Sequence, residues 1–145
     1  MRNKHSNKIQ NKELALTNVK YNVWKDIAGF NNYEVNPYVG IRNKKTQRVL
    51  KPRTWMGYPR VTLMSNGKKH EIKIHRVVAT HFINNPNPKK LNIVNHKNGN
   101  RSDFRIENLE WVTQSDNIKD RWLNRGKRPI YTPEYIFKNR NIKLQ

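Results

Sequence analysis

The sequence predicts an α+β chain. A β-rich N-terminal module with a small antiparallel sheet leads into a helix and then a strand–loop–strand–helix unit, with a basic arm at each end. Three observations predict it. Short apolar–polar alternations bounded by Gly, Pro and Asn recur from Tyr33 to Ile74. Asn66-Gly67, the pair that a type I′ hairpin turn prefers, sits between two of them. Beyond them, Val77, Val78, Ala79 and Phe82 fall on one side of a helix, and Thr113 to Asp116 spells a capping box that opens a second helix.

Composition narrows the partner. The 145 residues include 30 Lys and Arg against 10 Asp and Glu, a formal net charge of +20. That much positive charge repels itself unless a polyanion neutralises it, so DNA or RNA is the expected partner. Hydrophobic residues make up 34% of the chain and 22 residues are Asn. The size suits one modest core with polar ends rather than two independent domains. With no cysteine, disulfides and thiolate metal sites are excluded. No apolar run approaches the ~20 residues of a membrane span, and no apolar core follows the charged first residues as a secretory signal requires. The expected setting is a compartment that holds nucleic acid.

The elements follow in order. Residues 1–22 form a basic arm, with five Lys and Arg against Glu13 and a helical turn or two over Lys12–Val19. Residues 23–74 form the β-rich module. Trp24–Phe30 is a packed turn in which Gly29 supplies conformational freedom. Strands are expected at Tyr33–Val35, Val39–Arg42, Arg48–Lys51, Tyr58–Met64 and Lys69–Ile74, with Asn36-Pro37 as a break. Residues 75–125 carry the second unit. A helix over His75–Phe82 is stopped by Asn84-Asn85-Pro86. A strand over Ile93–Asn95, a loop from His96 to Arg105 bending at Gly99, and a return over Glu107–Trp111 then lead to a helix reaching about Asn124, capped by Gly126. Residues 126–145 are a second basic arm punctuated by Pro129 and Pro133, with a short helix from Thr132 to Phe137.

The candidate chemistry gathers around His96. A histidine of unperturbed pKa ~6.5 suits a general base at neutral pH. The amide oxygens of Asn95 and Asn117 suit a hard cation such as Mg²⁺, and they meet if the last helix packs across the two strands. Neighbouring residues on a regular strand face opposite ways, so the strand is expected to end at Asn95. The plainer alternative makes His96 a polar loop residue and both Asn ordinary turn and cap residues. Arg101 and Arg105 flank the loop, and one of them is expected to clamp a phosphate. Asp103 between them could orient an Arg or His96. Asp116 is a capping acid, or stands in for Asn117 as a ligand. His75 is expected to be packed structurally or to contact phosphate. His81 is expected to be partly buried, and the spacing of His70, His75 and His81 does not converge on zinc. Trp24, Phe82 and Trp111 read as core. Trp55, with Arg42, Lys44, Lys45, Arg48, Lys51, Arg53 and Arg60, forms a candidate nucleic-acid surface. Arg121, Arg125, Lys127 and Arg128 form another at the last helix end.

Asn95-His96-Lys97-Asn98-Gly99-Asn100, then Asn108-Leu109-Glu110-Trp111-Val112-Thr113, then Asn117, resembles the HNH homing endonucleases of phages and their introns. His75-Arg76-Val77-Val78-Ala79 with Phe82 to Pro86 is similar to the helix that precedes the nuclease motif there. Trp24–Phe30, Tyr33–Val35 and Gly40–Asn43 resemble the short N-terminal module that often accompanies it. The resemblance implies a ββα-metal nuclease fold that cuts or nicks duplex DNA with one divalent cation, Mg²⁺ or Mn²⁺. It implies Asn95 and Asn117 as metal ligands, His96 as general base and Asn108 as the residue that steadies the loop. The position of Asn95 is often Asp in that family. With two neutral ligands the protein gives the cation no formal charge, and the scissile phosphate must supply it. Larger relatives carry a further helical DNA-binding module after the nuclease helix, where this sequence has only a basic tail. The expected protein is a monomeric nicking or cleaving endonuclease. The alternative is a non-catalytic, nuclease-derived binder of nucleic acid, such as a structural component of a ribosome, with RNA as partner and an organelle as its setting. A small basic transcription factor would need a recognition helix that the sequence does not offer.

Overall fold

The computed structural model describes residues 22–123. Both basic arms beyond those residues, with the Lys12–Val19 and Thr132–Phe137 helices, the Gly126 cap and the basic residues Arg125, Lys127 and Arg128, lie outside the described residues.

The N-terminal half holds two three-stranded antiparallel sheets rather than one. β1 (Lys25–Ile27), β2 (Phe30–Asn36) and β3 (Gly40–Asn43) form the first, in the order β1-β2-β3. The expected turn over Trp24–Phe30 is therefore a strand and a hairpin, whose register shifts between Asp26 and Ile27. At the β2–β3 corner, buried Asn36 accepts from the backbone N–H groups of Tyr38 and Val39 at 2.8 and 3.0 Å and donates to the Val23 carbonyl. That local bonding is why Asn-Pro breaks the strand here. Arg48–Lys51 is not a strand. It makes a single bridge, Arg42 to Val49, and then leads into the second sheet.

The second sheet comprises β4 (Arg53–Trp55), β5 (Tyr58–Ser65) and β6 (Lys68–Lys73). β5 alternates as a half-buried strand should: Val61 and Leu63 are buried, Thr62 and Met64 exposed. Asn66 and Gly67 both have positive φ, +49° and +71°, as the type I′ turn between β5 and β6 requires.

Helix α1 (Ile74–Phe82) follows β6 directly and buries Ile74, His75, Val77, Val78 and Ala79. β7 (Ile93–His96) and β8 (Leu109–Val112) form an antiparallel pair joined by the loop and a 3₁₀ turn over Ile106–Asn108. Helix α2 (Gln114–Leu123) closes the unit. Thr113 Oγ1 accepts from the Asp116 N–H at 3.1 Å and donates to the Asp116 carboxylate at 2.7 Å, so Thr113 caps the helix as the sequence suggested.

One apolar core joins the parts. Ile27, Tyr33, Val35 and Ile41 of the first sheet, Val61 and Leu63 of the second, the inner face of α1, and Val94, Phe104 and Leu109 are buried together. Side-chain bonds reinforce it from outside: Tyr38 donates to Glu107 at 2.9 Å, and Trp111 Nε1 donates to the Ile83 carbonyl at 3.2 Å. His81 sits where α1 meets the β1–β2 turn. Its Nε2 accepts from the Ala28 N–H, so its Nδ1 carries the hydrogen and donates to the Val77 carbonyl. His70 instead meets the edge of the Phe30 ring, and His75 faces His96, so the three histidines diverge.

Candidate active site

The loop between β7 and β8 is fixed from within. Asn108 is buried and bonds at both ends of it: its Oδ1 accepts from the Asn98 N–H at 2.9 Å, its Nδ2 donates to the Asp103 carbonyl at 2.8 Å, and its own carbonyl accepts from Lys97 N–H. Asp103, 1% exposed, takes both an Nε and an Nη2 bond from Arg105, at 2.7 and 2.5 Å, and a third bond from Asn98. Burial alone would raise the Asp103 carboxyl, but the hydrogen bonds and charge of Arg105, with Asn98, overcome this and hold it below its ordinary value. Arg105 is thus committed to the loop. Arg101 reaches the other way: its Nη1 donates to the Met56 carbonyl at 3.1 Å and its guanidinium lies 5.1 Å from the Tyr58 ring centre.

β7 continues through His96, which pairs with Leu109, instead of ending at Asn95. The strand alternation therefore holds at the site, and the two candidate residues face different surroundings. Asn95 shares a face with its register partner Glu110. Its Nδ2 donates to Glu110 Oε1 at 2.9 Å and to Asp120 Oδ2 at 3.4 Å. Carboxylates only accept, so the amide orientation is fixed and Oδ1 is turned away from both acids. Asp120 lies on α2 three residues after Asn117, which puts Asn117 on the same face of that helix, one turn nearer its start. The two candidate ligands are both neutral amides, and two acids stand directly behind one of them.

His96 faces the other way, into a cluster of rings. Its ring centre is 4.8 Å from that of His75 and 5.9 Å from Tyr58, while Tyr58 stacks on His75 at 4.9 Å. Both histidines are 5% exposed. Desolvation lowers His96 to about 4; the nearby Asp103 carboxylate opposes this and Arg101 adds to it. Desolvation, then the charges of His96, Lys73 and Arg76, lower His75 to about 3. Both rings are neutral at pH 7. Among the described residues, Nδ1 of His75 is buried without a hydrogen-bond partner. His75 is more than a helix-start residue: it packs on the candidate base. That contact, like Tyr58, has no sequence signal, because it joins β5, α1 and β7 across the fold. Glu110 had a signal, since counting the hairpin register back from the loop pairs it with Asn95.

The candidate nucleic-acid surface divides. Arg42 bonds Glu34 at 2.6 Å and covers Trp24 at 3.8 Å, and Lys44 pairs with Asp26 at 2.8 Å, so these two serve the first sheet. Lys45, Arg48, Lys51 and Arg53 are exposed. Arg60 bonds Glu71 at 3.0 Å and lies 4.2 Å over Trp55, itself exposed on the second sheet. Arg121 is exposed on the last turn of α2.

Among the described residues no three His, Asp or Glu side chains converge on a point that could hold a metal ion. The donor set still fits a hard divalent cation. Amide oxygens are hard donors, and the orientation of Asn95 leaves its oxygen, not its nitrogen, available. No helix among the described residues is long and apolar enough to cross a membrane.

Comparison with known proteins identifies the family. The sequence matches the HNH endonuclease family over residues 73–119 and the NUMOD4 motif over residues 22–64. An uncharacterized HNH endonuclease of Acanthamoeba polyphaga mimivirus is 43% identical over 108 residues, covering 74% of this chain and 32% of that protein. The chain thus spans only about a third of that relative's length. The DNA endonuclease I-HmuI of Bacillus phage SP01 is 33% identical over 124 residues, covering 83% of this chain and 68% of that protein. The solved structure described as DNA binding and cleavage by the HNH homing endonuclease I-HmuI matches with a TM-score of 0.64 and 32% identity, covering 83% of this chain and 69% of that one. The ββα arrangement around His96, the small antiparallel sheets before it and these likenesses agree: the chain belongs to the HNH endonuclease family, of the homing type and with a NUMOD4 module.

Proposed function

We propose that this chain is a divalent-metal-dependent endonuclease that hydrolyses phosphodiester bonds of duplex DNA, acting as a monomer that nicks or cleaves its target. The observation that carries the proposal is the pairing of two neighbouring residues in opposite settings. A neutral, desolvated His96 stands beside an Asn95 whose amide is locked by two acids. His96 takes the proton of the attacking water. An unprotonated ring at neutral pH is ready to do so, and the charge of an incoming phosphate favours the protonated form it becomes. Asn95 and Asn117 hold the cation, Mg²⁺ or Mn²⁺. When bound, it neutralises charge on the phosphate and stabilises the leaving 3′ oxygen. Asn108 keeps the loop in register, and Asp103 positions Arg105. Arg101, on the rim beside Tyr58, is the residue we assign to the phosphate next to the cleaved bond.

The cytoplasm of an infected or bacterial host is the setting we propose. Supercoiled plasmid incubated with Mg²⁺, and in parallel with excess chelator, tests the activity. Relaxed or linear product only with the metal supports the endonuclease. Tight, salt-sensitive binding of RNA with no cleavage of any duplex would replace it with the non-catalytic binder.

A further inference from the structure

The two hairpins of the second sheet use the same turn with different residues. Asn66-Gly67 joins β5 to β6 with φ of +49° and +71°, and Met56-Gly57 joins β4 to β5 with φ of +50° and +84°. Asn tolerates the left-handed region, whereas Met adopts it at a cost. The Met56 side chain does not offset that cost by packing, because it is 65% exposed, beside Trp55 at 55%. A strained, exposed apolar residue where Asn would fit is a mark of use.

The tip is also held in place. Arg101 Nη1 bonds the Met56 carbonyl, and Ser102 Oγ bonds the Gly57 carbonyl at 3.0 Å, so the loop after β7 grips the turn at two points. A side chain on Gly57 would strike Arg101, with its Cβ 3.3 Å from Arg101 Cδ. Trp55 pairs across the turn with Tyr58, whose ring lies against His75 and His96. Tyr58 therefore links the tip to the candidate base. Around it the charge is positive: a groove of about 960 Å³ is lined by Lys51, Arg53, Trp55, Arg60 and Lys69, with Glu71 tied to Arg60.

We propose that the Trp55-Met56 tip is a wedge that enters duplex DNA next to the bond presented to His96 and unstacks a base step there. Exposed Met is among the side chains that open base steps, and the basic groove behind it matches the phosphates of a bent duplex. Gripping the tip through Arg101 and Ser102 fixes the distance between wedge and base, so the distortion and the cleaved phosphate stay in register. This rests on the nuclease reading above.

Closed circular plasmid, relaxed by a metal-independent topoisomerase in the presence of the protein and chelator, tests it without cleavage. Binding to a fluorescent random-sequence duplex is followed separately, so that variants are compared at equal occupancy. The wild type is expected to lower the linking number in proportion to bound protein. Met56→Asn should lose most of that change while raising Tm, since Asn-Gly suits the turn better, and the pair Trp55→Ala with Met56→Asn should abolish it. Binding without unwinding by the wild type, or equal unwinding by Met56→Asn, overturns the wedge and leaves the DNA reading standing. No duplex binding by the wild type overturns both.

Discussion

The two sides of strand β7 differ more than any other adjacent positions in the site. On one, Asn95 is hydrogen-bonded to Glu110 and Asp120. On the other, His96 lies against the tilted rings of His75 and Tyr58. In the proposed mechanism the first setting orients the candidate ligand and places charge behind it; the second strips water from the candidate base and keeps it unprotonated. A period of two along one strand suffices to separate these needs. On the proposed reading, the contrast offers an HNH site a way to use Asn where Asp is common: acids one shell away would supply part of what the ligand lacks.

Changes on the two sides should therefore separate. The largest effect is expected from His96→Ala, which should lower the single-turnover cleavage rate by about 10²–10⁴ while leaving duplex affinity, measured by anisotropy, close to wild type. An equal loss of affinity would move His96 from chemistry to binding. Next comes Asn108→Ala. It strands the Asn98 N–H and the Asp103 carbonyl inside the loop, so thermal or denaturant unfolding should show a loss of about 2–4 kcal/mol, with activity falling alongside. A change under half a kcal/mol would mean that water replaces the amide.

The ring side makes a pH prediction. His75 and His96 have folded pKa values of about 3 and about 4, below the ordinary 6.5. Between pH 6.5 and about 4 for His96, and about 3 for His75, the unfolded chain binds more protons, so their contribution is full above pH 6.5 and is lost as pH falls through those windows. The slope approaches about 1.4 kcal/mol per pH unit for each ring. Tm followed by circular dichroism should fall accordingly, and His75→Phe, which keeps a ring but removes one titration, should flatten the fall. An unchanged pH dependence would show that the rings are not buried as pictured. On the surface, Arg53→Ala should reduce the slope of log affinity against log salt by about 0.9 if it meets one phosphate. Arg42→Ala should change it less, because Glu34 already neutralises that side chain. Equal slopes would erase the distinction between the two sheets.

Much of this was legible in the sequence where the cause is local. Asn66-Gly67 fixed one hairpin, and the Thr113–Asp116 box opened α2. The apolar side of residues 75–82 marked α1, which begins one residue earlier at Ile74, and the order strand, loop, strand, helix followed from turn residues. What was not legible depends on packing between distant segments. β4 is three exposed residues with no alternation to detect, and β1 leaves only Ile27 buried. Division into two sheets is decided by which strands pair, as with Val49 meeting Arg42 only once. Placement of Tyr58 and His75 against His96 likewise arises from three elements meeting. Asp120 had a partial signal, sharing a helix face with Asn117.

The most direct test of this division of labour is a Mg²⁺ titration of single-turnover cleavage by wild type, Glu110→Gln with Asp120→Asn, and His96→Ala, paired with calorimetric Mg²⁺ binding to each protein. Replacing the two acids should raise the half-saturating Mg²⁺ concentration about ten- to a hundredfold, in line with other losses of outer-shell partners, and should weaken calorimetric binding, with the rate at saturating metal nearly restored. His96→Ala should leave the metal requirement near wild type and lower the rate at every concentration. If the acid replacements slow the reaction without shifting the metal requirement, or if His96→Ala shifts it, the two sides of β7 do not do separate work and the account fails.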